Sequence, residues 1–227
     1  MKAVLITGTE TGVGKTRVTQ ALARTLMASG RRVVAVKPVE TGCSDATAAE
    51  EDGVRLARTT GQAKPRAALH RFDAVTDPAL ATGVDGEPVD LDGLVLDIEA
   101  SSTDADVLLL EGTGGLLTPI TWEWTIVELA RTLGADALVV GVDRLGVINA
   151  VLLTLSALEL AGIRVAGVAL TMPGHPDAST GLNAPAIARL AGLDRVVVIP
   201  EGAETGPGEA LAPIVGWLLE PSDRALP

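Results

Sequence analysis

Residues 8–16 read GTETGVGKT, between an apolar run at 2–7 and an amphipathic stretch that starts at residue 15. Gly8, Gly12 and Gly14 permit a tight backbone path that turns successive N–H groups toward one point, which suits phosphate oxygens. Lys15 then opens a helix, so its ammonium and the helix N-terminus act together on the β- and γ-phosphates of a nucleotide. Thr16 follows at the position whose hydroxyl serves Mg²⁺ in such loops. The spacing departs from the common phosphate-loop pattern, because Thr9 holds the first glycine's place and Gly8 stands one residue early. A Gly-Lys-Thr at a strand–helix junction still reads as a nucleotide loop built from Gly8, Thr9, Glu10, Thr11, Gly12, Val13, Gly14, Lys15 and Thr16.

The remaining charge has to come from elsewhere. One branch of phosphate-loop ATPases, the partition and nitrogenase-reductase type, places a lysine where this chain has Glu10, and that lysine reaches across a dimer to the nucleotide. A carboxylate cannot neutralise phosphate, so the switch-ATPase reading is disfavoured and a second cation is required. Lys37 is the candidate, in VAVKPVETG at 34–42, at the end of what reads as the second strand beside the phosphate loop, where functional groups of open α/β sheets collect. The run VLLLEG places Glu111 at the end of another apolar strand, ahead of Gly112, Thr113, Gly114 and Gly115. A carboxylate there suits a Mg²⁺ held between the phosphates and Thr16. A second metal carboxylate is sought among Glu50, Glu51 and Asp52, although an acidic helix start is equally explained by the helix dipole.

These groups need a scaffold that brings strand ends together. Short Val-, Leu- and Ile-rich runs at 3–7, 32–37, 106–111, 137–142, 164–170 and 195–199 read as strands. Helical patterns lie between them at 15–29, 48–59, 91–101, 126–133, 147–161, 185–190 and 209–219, and Gly30, Gly61, Gly134, Gly162 and Gly192 follow five of these as C-terminal caps. The alternation predicts a single α/β domain with a doubly wound, mostly parallel sheet flanked by helices. Residues 62–90 break the rhythm, with Lys64-Pro65, Asp77-Pro78 and a short helix near 78–82. They read as a long excursion, and the tail 221–227 as frayed.

Composition narrows the function classes. A formal charge of −11 disfavours nucleic-acid and anionic-membrane partners. Two histidines and one cysteine argue against an ordinary zinc site and a Ser-His or Cys-His pair, and Cys43 alone leaves no internal disulfide. The first residues run straight into a strand, and no apolar run has the length of a membrane span. The expectation is a cytoplasmic chain that acts on small molecules. Trp122 and Trp124 are expected to pack under a loop or at an interface rather than on a nucleobase.

Taken in order, GTETGVGKT (8–16), KPVETG (37–42), an acidic residue opening the next helix, EGTGGLLTP (111–119) and LGVINAVLLT (145–154) resemble the dethiobiotin synthetase family over most of the chain. The resemblance implies a homodimeric ligase that takes 7,8-diaminononanoate, CO₂ and ATP or another nucleoside triphosphate, with Mg²⁺. It assigns Lys15 and Thr16 to phosphates and metal, and Lys37 to the carbamate and the transferring phosphoryl. Asp52 and Glu111 become metal ligands, with Thr11, Thr41, Gly112 and Gly114 beside the substrate. Gly146, Val147, Ile148 and Asn149 form the helix N-terminus that receives the substrate's distal carboxylate from the partner subunit, which also suits the anion preference of helix N-termini. The chain departs from the family pattern at Thr113 for Ala, at Ala150 for His, and at Thr171 for the Asn that reads adenine. A hydroxyl cannot repeat a bidentate amide contact, which moves base contacts to Pro200, Glu201 and Gly202. A partition- or switch-type ATPase, against which Glu10 argues, and a regulatory homologue without ligase activity are the alternative readings.

Overall fold

The computed structural model describes residues 1–86, 88–202 and 209–219; the tail expectation at 221–227 lies outside them. Strands β1 (Lys2–Gly8), β2 (Val33–Val36), β5 (Val107–Gly115), β6 (Asp136–Val142), β7 (Val165–Thr171) and β8 (Val196–Ile199) form one parallel sheet in the order β2-β5-β1-β6-β7-β8. Both faces of the sheet are covered, which is why these strands are nearly continuous apolar runs. One face packs Val18, Leu22 and Leu26 of α1 (Lys15–Ala28), Leu56 of α2 (Asp52–Thr60) and Ile214 of α8 (Ala212–Leu219). The other packs α4 (Leu91–Ser102), α5 (Ile126–Thr132), α6 (Val147–Leu160) and α7 (Asn183–Ala191) through Ile98, Leu129, Val151 and Ile187. This is the doubly wound α/β fold expected from the alternation.

Each of the six predicted strands is present, but β5 runs on to Gly115, four residues past its predicted end, so Glu111 lies within the strand and not at its end. The five expected cap glycines all have positive φ. Helix 48–59 is divided, with a 3₁₀ turn at Ala48–Glu50 and α2 starting only at Asp52. The predicted proximity of the Lys37 strand to the phosphate loop needs correction: β5 lies between β1 and β2. A right-handed crossover from β1 that skips one position leaves room for it, and Glu111 consequently stands between the two lysine-bearing strand ends.

The excursion is built around a second, small sheet. β3 (Val39–Thr41) pairs in parallel with β4 (His70–Phe72), and α3 (Pro78–Asp85) follows. Val39, Phe72, Ala81, Leu94 and Ile120 bury a satellite core beneath it. The excursion also covers the edge strand β2: the Ala35 N–H donates to Gln62 Oε1 at 2.9 Å, satisfying a group that would invite pairing with another chain. Among the described residues no helix is long and apolar enough to cross a membrane.

Candidate active site

The loop after β1 enters α1 through Gly14, at φ 90°, a left-handed conformation that side chains rarely adopt. Lys15 is buried, and its Nζ donates to the Gly114 carbonyl at 2.7 Å and the Glu10 carbonyl at 3.1 Å. Burial, and next the charge of Lys37, lower its pKa to about 8. Thr16 Oγ1 donates to Glu111 Oε1 at 2.7 Å, and Thr19, one turn along α1, donates to Glu111 Oε2 at 2.8 Å.

Lys37 directly follows β2 and is 3% exposed. Its Nζ reaches Glu111 Oε1 at 2.9 Å, Asp52 Oδ2 at 3.1 Å and the Gly112 carbonyl at 3.3 Å. Burial works against the ammonium, but Glu111 and Asp52 outweigh it and hold the pKa above the usual lysine range. Burial likewise pushes the Asp52 carboxyl up, and Lys37 with the Thr16 hydroxyl outweighs this, leaving it below the usual carboxylate range. The ammonium therefore already stands where two carboxylates and a hydroxyl favour positive charge. Hard oxygen donors of this kind suit Mg²⁺, so the residues present fit the ion.

Of the acidic run, only Asp52 bonds to Lys37; Glu51 is buried against Arg71 and Glu50 is exposed. Lys15, Thr16, Lys37 and Asp52 share one cleft of about 390 Å³ with Thr11, Gly12, Gly14, Thr41 and Gly114. A second cleft of about 640 Å³ opens on the other side of the loop. It is lined by Thr9, Glu10 and Thr11 of the loop, by the apolar Leu116, Leu117, Leu153 and Ala157, and by the polar Asp77, Thr118, Asn149 and Thr154. Of the predicted carboxylate site only Asn149 lines this cleft; Gly146, at φ 94°, is the N-cap of α6, with Val147 buried, Ile148 half-buried and Asn149 exposed. Glu10 is paired with Arg144 at 2.7 Å across this loop junction.

Thr171 lies beneath the phosphate loop. It is 4% exposed, and its hydroxyl donates to Val13 O at 2.9 Å and Gly141 O at 3.3 Å, bracing the phosphate loop against β6 and β7. Pro200 is brought to α1, where Arg17 Nη2 donates to its carbonyl at 3.0 Å, and Glu201 and Gly202 continue as an exposed turn. Gly8 and Val13 are buried within the loop. Trp122 is 75% exposed whereas Trp124 packs half-buried against the core, so the two do not share one environment. Two further residues matter that sequence reasoning missed. Thr19 had a local signal, since it lies on the Lys15–Thr16 face one turn on. Glu40, whose carboxylate bonds to α2, had none.

A family model described as an AAA domain matches residues 2–208. The ATP-dependent dethiobiotin synthetase BioD of Anaeromyxobacter dehalogenans (strain 2CP-C) is 37% identical over 203 residues, spanning 88% of this chain and 90% of that protein. The namesake of Corynebacterium kroppenstedtii is 34% identical across 98% of this chain and all of its own length. Among solved structures, the cell division protein ftsY from Thermotoga maritima superposes with a TM-score of 0.55 at 21% identity, covering 97% of this chain and 69% of that one. That likeness concerns the phosphate-loop fold alone. Identity of this extent, over nearly the full length of both chains, shows that the protein belongs to the ATP-dependent dethiobiotin synthetase family.

Proposed function

We propose that this chain closes the ureido ring of dethiobiotin from 7,8-diaminononanoate, CO₂ and a nucleoside triphosphate, at the cleft lined by Lys15, Thr16, Lys37, Thr41 and Asp52. The carrying observation is that two lysines, two carboxylates and the Thr16 hydroxyl, from four separate elements, converge beside the phosphate loop. One amine of the substrate takes up CO₂ as a carbamate, which is too electron-rich for the second amine to attack. The γ-phosphoryl passes to a carbamate oxygen, and the nucleoside diphosphate leaves. In the resulting mixed anhydride the second amine attacks the carbonyl carbon, loses its proton, and expels phosphate as the five-membered ring closes. Both amines sit on one carbon chain, so ring closure has the advantage of an intramolecular reaction.

The protein's part is positioning and charge. The loop N–H groups and Lys15 hold the β- and γ-phosphates, displacing Lys15 from its carbonyl partners. Lys37 lies between phosphoryl and carbamate and balances the charge that develops during transfer. Thr11, Thr41, Gly112 and Gly114 flank the reacting amines. Thr16, Asp52 and Glu111 would hold Mg²⁺, which when bound supplies positive charge to the phosphate oxygens. With Thr171 occupied beneath the loop, base contacts fall to the turn at Pro200, Glu201 and Gly202.

Leu116, Leu117 and Leu153 in the second cleft suit the aliphatic chain of the substrate. Its carboxylate is assigned to the α6 N-terminus at Gly146, Val147, Ile148 and Asn149 of a partner copy. Leu153 at 64% and Leu160 at 90% exposure lie two turns apart on α6, and Leu145, just before the helix, is 81% exposed; these apolar side chains support a homodimer over this face. The lone buried thiol, Cys43, supports the cytoplasmic setting.

Incubation with diaminononanoate, bicarbonate, Mg²⁺ and each of ATP, CTP and GTP, with product read by mass, tests the reading. Dethiobiotin is the expected product, and its absence with every nucleotide overturns the proposal. Lys37→Ala is expected to abolish ring closure while leaving nucleotide affinity within several-fold of the parent.

A further inference from the structure

The first turn of α2 carries Asp52, yet its own N-cap residue, Glu51, makes no side-chain capping bond. The cap comes instead from a strand. Glu40, in the middle of β3, accepts from the Asp52 N–H at 2.5 Å through Oε1 and from the Gly53 N–H at 3.0 Å through Oε2. Its register partner on β4 is Arg71, and Arg71 grips the residue that precedes this turn. Its Nε and Nη2 donate to the two Glu51 oxygens at 2.9 and 2.5 Å.

The backbone of the excursion closes the arrangement. A Cβ on Gly53 would lie 2.2 Å from the Ala68 nitrogen, so only glycine lets residues 67–68 rest on this turn. β3 is itself tied to the main sheet, because the Thr113 hydroxyl donates to the Val39 carbonyl at 2.5 Å. The cluster of Glu40, Cys43 and Glu51, whose ligand atoms lie within 4.8 Å of one another, has the look of a metal site. Its carboxylates are already engaged by two backbone N–H groups and a guanidinium, which accounts for their burial without an ion.

We propose that Glu40 and Arg71 are positioning residues that hold the start of α2 in the one register that aims the Asp52 carboxylate at Lys37 and at the cation position beside Thr16. The inference rests on the assignment of Asp52 as a metal ligand under the proposed function, and it gives residues 62–90 a role: they carry one half of the clamp. Neither Glu40 nor Arg71 is hydrogen-bonded to Lys15, Thr16 or Lys37; Glu40 also lines the cleft and its charge favours the Lys37 ammonium, so Arg71, which does not line it, is the probe that isolates positioning.

The test is Mn²⁺ affinity of the enzyme bound to a non-hydrolysable ATP analogue, read by electron paramagnetic resonance, beside kcat and the Mg²⁺ dependence of turnover. Glu40→Ala and Arg71→Met are each expected to weaken Mn²⁺ about tenfold, as loss of a ligand-orienting partner does, with analogue affinity in EDTA held within twofold. Glu40→Gln keeps one acceptor oxygen and should fall between parent and Glu40→Ala. Combined with Asp52→Asn, Glu40→Ala should add nothing, since both act on one ligand. An additive double variant, or Mn²⁺ affinity unchanged in Glu40→Ala and Arg71→Met while Asp52→Asn weakens it, overturns the positioning role. If Asp52→Asn itself leaves Mn²⁺ binding intact, the metal assignment fails and takes this inference with it. Should Glu40→Ala not fold, Glu40→Gln and Arg71→Met decide the matter by the same measurements.

Discussion

Replacing Lys37 by Met keeps the aliphatic stem and removes one charge from the centre of the site. Glu111 is fully buried and loses an ammonium partner at 2.9 Å; Asp52, with a third of its side chain exposed, loses one at 3.1 Å. Removing one side of a buried ion pair costs about 3–5 kcal/mol, because the remaining charge is left without compensation. Glu111 keeps the Thr16 and Thr19 hydroxyls at 2.7 and 2.8 Å, which places the loss at the lower end, ~3 kcal/mol. For a domain of this size that corresponds to a Tm lower by roughly 6–12 °C. Differential scanning calorimetry in EDTA measures it directly. Added Mg²⁺ should restore more of the loss in the variant than it adds to the parent, since in the parent the ammonium occupies the same electrostatic position. A variant that melts in EDTA within about 2 °C of the parent would refute the account of Lys37 as the counter-charge of two carboxylates.

Gly53→Ala drives a Cβ into the Ala68 backbone at 2.2 Å, so a loss of at least ~2 kcal/mol is expected on urea unfolding, where a neutral exposed helix site would gain from alanine. Thr171→Val removes the donor to Val13 O and Gly141 O; it should cost about 1–2 kcal/mol and weaken triphosphate binding, while the ratio of ATP to CTP affinity, read by calorimetric titration, stays as in the parent. Asp177 accepts from the Leu145 N–H and from the Ser179 N–H and hydroxyl, and these bonds, the Ser179 hydroxyl foremost, lower its carboxyl to about 2. The folded value lies below the ordinary one near 4, so its contribution is complete above pH ~4 and is lost as pH falls through ~2. Amide exchange at Leu145, followed by NMR, should stay protected down to that window, and Asp177→Asn should lose the protection at neutral pH.

The local order of this protein was legible before its shape. Apolar strands ending in glycine, lysine or glutamate are patterns within ten residues of chain. They located the phosphate loop, Lys37 and Glu111, because strand period and turn chemistry are set by neighbours in sequence. The acidic run Glu50, Glu51 and Asp52 is three similar side chains in a row, and nothing within the run separates the one that meets Lys37 from a buried ion-pair partner and a solvated charge.

Tertiary structure decided that division. Helical rotation turns Asp52 toward Lys37, and Arg71, twenty residues on, takes Glu51. The same holds for β5 inserting between β1 and β2, which sets Glu111 between the two lysines, and for Thr171, whose hydroxyl is spent on Val13. It holds most plainly for Glu40, in a three-residue strand too short to carry a periodic signal, whose partners lie on another element. Sequence alone determined which groups are available and which strand each one belongs to or follows. Which of them meet is set by strand order and helix rotation, and these follow from burying two apolar faces of one sheet at once rather than from any local pattern.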